Sequence, residues 1–282
     1  MGEMLLLEGK WDEISRRPAD NCGADIWISP ERRRYDMRVV GKTDIGCVRR
    51  TNQDYIFYSL TPVGGFPNLF IVADGMGGHQ AGDFASRYAV ENVLDYIRRA
   101  KPDSLIRVAD RAIRHANKKV FEKAHSDEAL RGMGTTIVVA YIEDDQLFVA
   151  NVGDSRLYVL DSEMNQVTED HSFVADLVRA GQLTPEQARS HPQKNIITRA
   201  IGAVDDVKVD FFEMDLEKGD KILMCTDGLS NMVEDDVLYD IVANTYIEDV
   251  ADELISEAKN NGGRDNISVI VIDPFDMEVS GC

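Results

Sequence analysis

Hydrophobic runs that stop abruptly at an aspartate recur along this sequence, and they limit what it can fold into more than any other feature. Leu69 to His79 reads Leu-Phe-Ile-Val-Ala-Asp-Gly-Met-Gly-Gly-His, and Lys221 to Leu229 reads Lys-Ile-Leu-Met-Cys-Thr-Asp-Gly-Leu. β-Branched and aromatic runs of this length suit strands buried on at least one face. Each run therefore delivers an acid, Asp74 or Asp227, to the rim of a sheet, and Gly75, Gly77 and Gly78 leave backbone free to approach a ligand closely. Gln146 to Arg156 carries Asp154 past the end of a third such run, while Gly262 to Ile272 puts Asp265 and Asn266 at the mouth of a fourth. One Asp-Gly after a strand is an ordinary hairpin signal; the repetition is what argues for a site. Carboxylates gathered at one rim repel unless hard cations lie between them. Oxygen-only ligation without clustered His or Cys selects magnesium, manganese or calcium over zinc or copper.

Charge narrows the partners. With 31 basic against 50 acidic residues the formal charge is -19, so no basic stripe exists to bind nucleic acid or an anionic membrane, whereas a divalent cation is attracted. No apolar run approaches the roughly 20 residues that span a bilayer, and Met4 to Leu7 is too short for the core of a secretory signal. Cys22, Cys47, Cys225 and Cys282 lie far apart with no CxxC spacing, which suggests neither a zinc knuckle nor a redox pair. A cytoplasmic chain is expected.

Residues 1–36 differ from the rest in their broken periodicity and are expected to form an N-terminal extension outside the fold; 276–282 form a tail. Residues 37–275 contain no linker and read as one domain. Between the first two strands, Arg49 and Asp54 stand five residues apart and could reach one polar site. Two packing helices follow the Asp74 motif, one marked by Ala85, Ala89, Val93 and Tyr96, the other by Leu105, Val108, Ala112, Ala116 and Val120. Ile137 to Ile142, the Asp154 strand and Arg156 to Leu160 then read as a β-meander. From about 170 to 202 the strands give way to a helical insertion, a lid beside a site. Its first helix ends at Gly181. Its second starts at Thr184 as N-cap, with Pro185 and Gln187 completing a capping box. His171 and His191, both in the lid, read as solvent-facing.

Six motifs stand in order: Arg49-x-x-Asn52-x-Asp54, Asp74-Gly75-Met76-Gly77-Gly78-His79, Gly134-Thr135-Thr136, Gly153-Asp154-Ser155-Arg156, Thr226-Asp227-Gly228-Leu229 and Gly263-x-Asp265-Asn266. Through them the chain resembles, from about Met37 to Ile272, the metal-dependent PPM or PP2C-type protein serine/threonine phosphatases of bacteria. The resemblance implies an α+β fold, a four-layer α-β-β-α sandwich of two mainly antiparallel sheets flanked by helices, with metals at one end. It implies that Asp74 bridges two Mn²⁺ or Mg²⁺ ions, that the Gly75 carbonyl ligates one of them, and that Asp227 and Asp265 hold the other. Asp54 supports the first ion directly or through water, and a weaker third ion falls to Asp154 with Asp227.

In this resemblance Arg49 grips the substrate phosphate, for which a planar fork of N–H donors is suited. His79 is the candidate general acid for the leaving alkoxide, or orients water on a metal. The implied reaction is hydrolysis of phosphoserine and phosphothreonine in proteins, a metal-bridging hydroxide attacking phosphorus directly. Implied partners are phosphorylated proteins and a bacterial Ser/Thr kinase that the enzyme opposes, with a monomer as the default. The alternative is a catalytically silent signalling or binding module of the same fold, which loss of a metal ligand would mark; Asp74, Asp154, Asp227 and Asp265 are all in place. A two-metal nuclease is disfavoured by the acidic charge.

Overall fold

Buried residues in the central strands follow one another instead of alternating with polar ones: Leu69 to Ala73 are all buried, as are Ile137 to Ile142. Successive side chains point to opposite faces of a sheet, so such strands need cover on both sides. The computed structural model describes residues 36–78 and 81–276. Apart from Asp36 and Asp276, which are described and pair with each other, the expected extension and tail lie outside the described residues, as do Cys22, Cys282 and His79.

In chain order the elements are β1 (Asp36–Asp44), β2 (Asp54–Ser59), β3 (Leu69–Met76), α1 (Ala81–Arg99), α2 (Leu105–Ser126), β4 (Gly134–Thr135), β5 (Ile137–Glu143), β6 (Gln146–Val152), β7 (Arg156–Leu160) and β8 (Met164–Gln166). They continue with α3 (Phe173–Arg179), α4 (Pro185–Arg189), β9 (Asp210–Asp215), β10 (Lys221–Cys225), α5 (Asp227–Ser230), α6 (Asp235–Asn244), α7 (Ile247–Asn260) and β11 (Ile267–Asp276). One sheet has the order β1-β11-β10-β7-β8 and the other β2-β3-β5-β6-β9, with β4 beside β3. Every pairing among the named strands is antiparallel.

The layers follow from the alternation. In β3, Leu69, Ile71 and Ala73 pack against Ala85, Ala89 and Val93 of α1 and Ala112 and Ala116 of α2, whose small side chains let the helices lie close. Phe70 and Val72 turn the other way and meet Leu157, Ile222 and Ile270 of the opposite sheet. On that sheet Tyr158, Leu223 and Val269 face outward under Leu238 of α6 and Leu254 of α7. Helix, sheet, sheet and helix are stacked, an α-β-β-α sandwich. Among the described residues no helix is long and apolar enough to cross a membrane.

The expected meander is not found. β5 and β6 form a hairpin, but β7 belongs to the other sheet, beside β10. Residues 153–155 carry the chain across, because Leu157 and Val159 fill the space between the sheets while Tyr158 and Leu160 need the cover of α6 and α7. This crossing joins the sheets at one end of the sandwich. The registers Asp54↔Asp74, Ile137↔Val152, Cys225↔Arg156 and Cys225↔Val269 bring the ends of β3, β6 and β10 and the starts of β2 and β11 to that same end.

Candidate metal centre

Asp54 opens β2 directly across from Asp74 on β3, a position where like charges repel. It is 6 % exposed. Its Oδ2 accepts from the hydroxyls of Thr226, just past β10, at 2.8 Å and of Ser268 in β11 at 2.7 Å. Two donors at the rim of one sheet thus hold a carboxylate of the other. Asp74 is fixed through its backbone: its N–H donates to Thr136 Oγ1 at 2.9 Å, and its carbonyl accepts from the Thr135 hydroxyl at 2.9 Å and the Thr136 N–H at 2.9 Å. Gly75 follows inside β3, its N–H bonded to the Gln53 carbonyl at 3.0 Å.

Asp227 begins the short helix α5, and its Oδ2 accepts from Asn231 Nδ2 at 2.9 Å. A Cβ on Gly228 would stand 1.8 Å from the Asn266 carbonyl oxygen, so only glycine lets α5 lie against the segment that carries Asp265. Asp265 Oδ2 accepts from Arg49 Nη2 at 2.7 Å, and its Oδ1 from the Asn266 N–H at 2.9 Å. Asn266 ties down the loop that brings Arg49: its side chain accepts from the Gln53 N–H at 2.9 Å and donates to the Ile45 and Thr51 carbonyls, each at 3.0 Å. Asp154, 7 % exposed, follows Gly153, whose φ of 116 requires glycine. Asp54, Asp74, Asp154, Asp227, Asp265, Gly75 and Arg49 therefore meet at one end of the sandwich. His79 is outside the described residues.

The electrostatics show what this arrangement costs. Burial, and then the charges of Asp227 and Asp265, push the Asp54 carboxyl up to about 7, although the Ser268 and Thr226 hydroxyls oppose the shift. Burial and the Asp265 charge push Asp227 up to about 6. Asp74 is held well above the usual carboxylate range by burial and by Asp54, Asp227, Asp154 and Asp265, and Asp154 by burial and by Asp227 and Asp170. Among the described residues Asp54 Oδ1, Asp154 Oδ1 and Asp227 Oδ1 are buried without a hydrogen-bond partner. Buried anionic oxygens are costly unless paired or bound to metal. Among the described residues no three His, Cys, Asp or Glu side chains already close on one point as a finished metal site does. The fit to a cation rests instead on an all-oxygen donor set with unpartnered atoms, which suits hard divalent ions.

A groove of about 680 Å³ leads away from Asp154 and Asp227 towards α3 and α4, where Arg179, Arg189 and Lys194 are among the residues that line it. Two features escaped sequence reasoning. Thr226 and Ser268 gave no signal as holders of Asp54, since their partner lies 172 and 214 residues away. His171 is not solvent-facing: it is 2 % exposed, with both ring nitrogens engaged. His191 is half-buried, its ring 6.3 Å from that of Phe173.

Comparison with known proteins gives these residues a context. The chain is 41% identical over 241 residues to protein phosphatase PhpP of Streptococcus pneumoniae, covering 84% of this chain and 97% of that one. The serine/threonine phosphatase of S. agalactiae superposes with a TM-score of 0.77 at 39% identity, over 84% of this chain and 98% of that one. The catalytic domain of the serine threonine protein phosphatase PstP, in complex with 2 manganese ions, superposes with a TM-score of 0.74 at 31% identity, over 84% and 97%. The family model described as protein phosphatase 2C matches residues 48–260, and the chain belongs to that family.

Proposed function

We propose that this chain removes phosphate from phosphoserine and phosphothreonine in proteins, with divalent cations held by the carboxylates at the end of the sandwich. The observation that carries this reading is the group of buried, unpartnered oxygens on Asp54, Asp154 and Asp227. Asp54, Asp74, the Gly75 carbonyl, Asp227 and Asp265 would hold two ions, and Asp154 with Asp227 a weaker third. The two manganese ions of the PstP catalytic domain support Mn²⁺, with Mg²⁺ the other ion that suits this donor set. When bound, such ions neutralise the phosphate dianion and lower the pKa of water from 15.7 towards about 7.

The chain's own residues do the rest. Thr226 and Ser268 hold Asp54 in one orientation, and Asn231 does the same for Asp227. Arg49, its side chain 48% exposed, donates through Nη2 to Asp265. Its guanidinium keeps further N–H donors with which to grip a phosphate as a fork. The leaving alkoxide needs a proton, for which His79 is the candidate. The phosphatase names of the relatives support phosphorylated proteins as substrates, and we extend the reading to a cognate Ser/Thr kinase as the opposing enzyme, a monomer and a cytoplasmic setting. The test is phosphate release from a phosphothreonine peptide by the chelated full chain. Activity should vanish with chelator and return with Mn²⁺ or Mg²⁺. Full activity in excess EDTA, or none with either ion, would overturn the reading.

A further inference from the structure

The turn that presents Asp154 is held by a residue outside the ligand set. Gly153 precedes Asp154 with φ of 116, and glycine is the least restricted joint a chain can have. Both of its backbone polar groups bond to His171, and the carbonyl also accepts from Asn151 Nδ2 at 3.4 Å. The Gly153 N–H donates to His171 Nδ1 at 2.9 Å, and the Gly153 carbonyl accepts from the His171 N–H at 3.0 Å. These two groups flank the two dihedrals of Gly153, so His171 restrains both. Because a backbone N–H only donates, Nδ1 accepts, while Nε2 on the far side of the ring stands 2.9 Å from Asp210 Oδ2 and 2.8 Å from Arg199 Nη1. Asp210 is held in turn by Arg199 Nη1 at 2.9 Å, with Lys208 Nζ 3.6 Å from its other oxygen.

The other side of Asp154 is fastened by the neighbour of His171. Arg156 donates to Asp170 through Nε at 3.0 Å and Nη2 at 2.7 Å, and through Nη1 to the Tyr158 hydroxyl at 2.9 Å. Residues 170 and 171 therefore clasp the Asp154 turn on both flanks, immediately before Ser172, the N-cap of α3. Such a clasp has work to do, since Asp154 is buried close to like charges.

We infer that His171 is a positioning residue: by fixing the backbone of Gly153 it aims the Asp154 carboxylate at the ion shared with Asp227, and it ties that aim to the segment that begins α3. The inference rests on the third-ion reading of Asp154. The full chain is freed of metal and titrated with Mn²⁺ while the free ion is followed by its paramagnetic resonance signal, alongside Asp154→Asn, His171→Gln and His171→Asn. Asp154→Asn should lose the weakest ion. A glutamine amide reaches the place of Nε2 but leaves the Gly153 N–H without an acceptor, so His171→Gln should weaken the same ion about fivefold or more, the worth of one hydrogen bond. An asparagine Oδ1 stands where Nδ1 stood, so His171→Asn should bind that ion nearly as the parent does.

Each variant gives up the contacts of one ring nitrogen, so the melting temperature of the metal-free protein should fall in both, whereas only the glutamine form should lose affinity. If both weaken the ion equally, or neither does while Asp154→Asn loses it, His171 is only a structural residue and the inference is overturned. If Asp154→Asn keeps every ion, the third-ion reading itself fails. Should His171→Gln not fold, His171→Asn must still retain the ion, and the Gly153 amide of the parent must exchange slowly with solvent; failure of either overturns the role.

Discussion

Asp54 shows how a single residue can store the cost of a site. Its carboxyl is raised to about 7 and that of Asp227 to about 6, well above the value of 3.8 for a hydrated aspartate. In the folded, metal-free protein these groups bind protons that the unfolded chain has already released, so stability falls as pH rises. Stability should be greatest below about pH 4 for these groups and decline through the window up to about 7. Melting of the chelated protein at stepped pH checks this, and a rise in stability across that window would contradict it. Thr226→Val should add to the cost, since it takes one donor from Asp54 and leaves the Ser268 N–H without its acceptor at 3.0 Å. A loss of about 1–3 kcal/mol is expected from such an unsatisfied group, with Thr226→Ser recovering most of it in denaturant unfolding. Asp74, Asp154, Asp227 and Asp265 could be read from the sequence because each stands beside one end of a hydrophobic run. Thr226, Ser268 and His171 could not, because a hydroxyl or imidazole far from its partner in sequence leaves no local trace.

At the level of elements, what is local was legible and what is relative was not. The Thr184 capping box, with Pro185 at the first position and Gln187 answering the cap, is found as the sequence implied. α3 ends with Gly181 at φ of 70 and its N–H on the Val178 carbonyl. The crossing from β6 to β7 looks like a meander in sequence because a strand has the same pattern whichever sheet it joins; Leu157 and Val159 packing between the sheets decides it. Two substitutions separate these kinds of element. Thr184→Ala should fray exposed α4 at a local cost of about 1 kcal/mol and leave the cooperative melting of the sandwich unchanged. Gly228→Ala puts a Cβ against a backbone carbonyl that cannot turn aside. It should move Asp227 away from Asp265, lowering both the melting temperature and turnover, whereas a parent-like enzyme would show that the α5 contact is dispensable.

For the molecule as a whole, the charge of -19 and the carboxylates crowded at one end mean that folding and cation binding are linked. An ion that binds only the folded state stabilises it in proportion to the logarithm of its concentration over its dissociation constant. The chelated chain should therefore melt lower than the chain with Mn²⁺, and the gap should widen from about pH 5 to pH 7 as the carboxylates lose their protons. Residues 1–36 are proposed to lie outside this linkage, so a chain beginning at Met37 should keep the same response. The most direct measurement is phosphate release from a phosphothreonine peptide by the chelated parent and by Asp74→Asn, each before and after Mn²⁺ is restored. The parent should regain activity and the folded variant should not. Equal recovery in both, or turnover by the parent without any added ion, would contradict a cation-dependent phosphatase centre at this end of the sandwich.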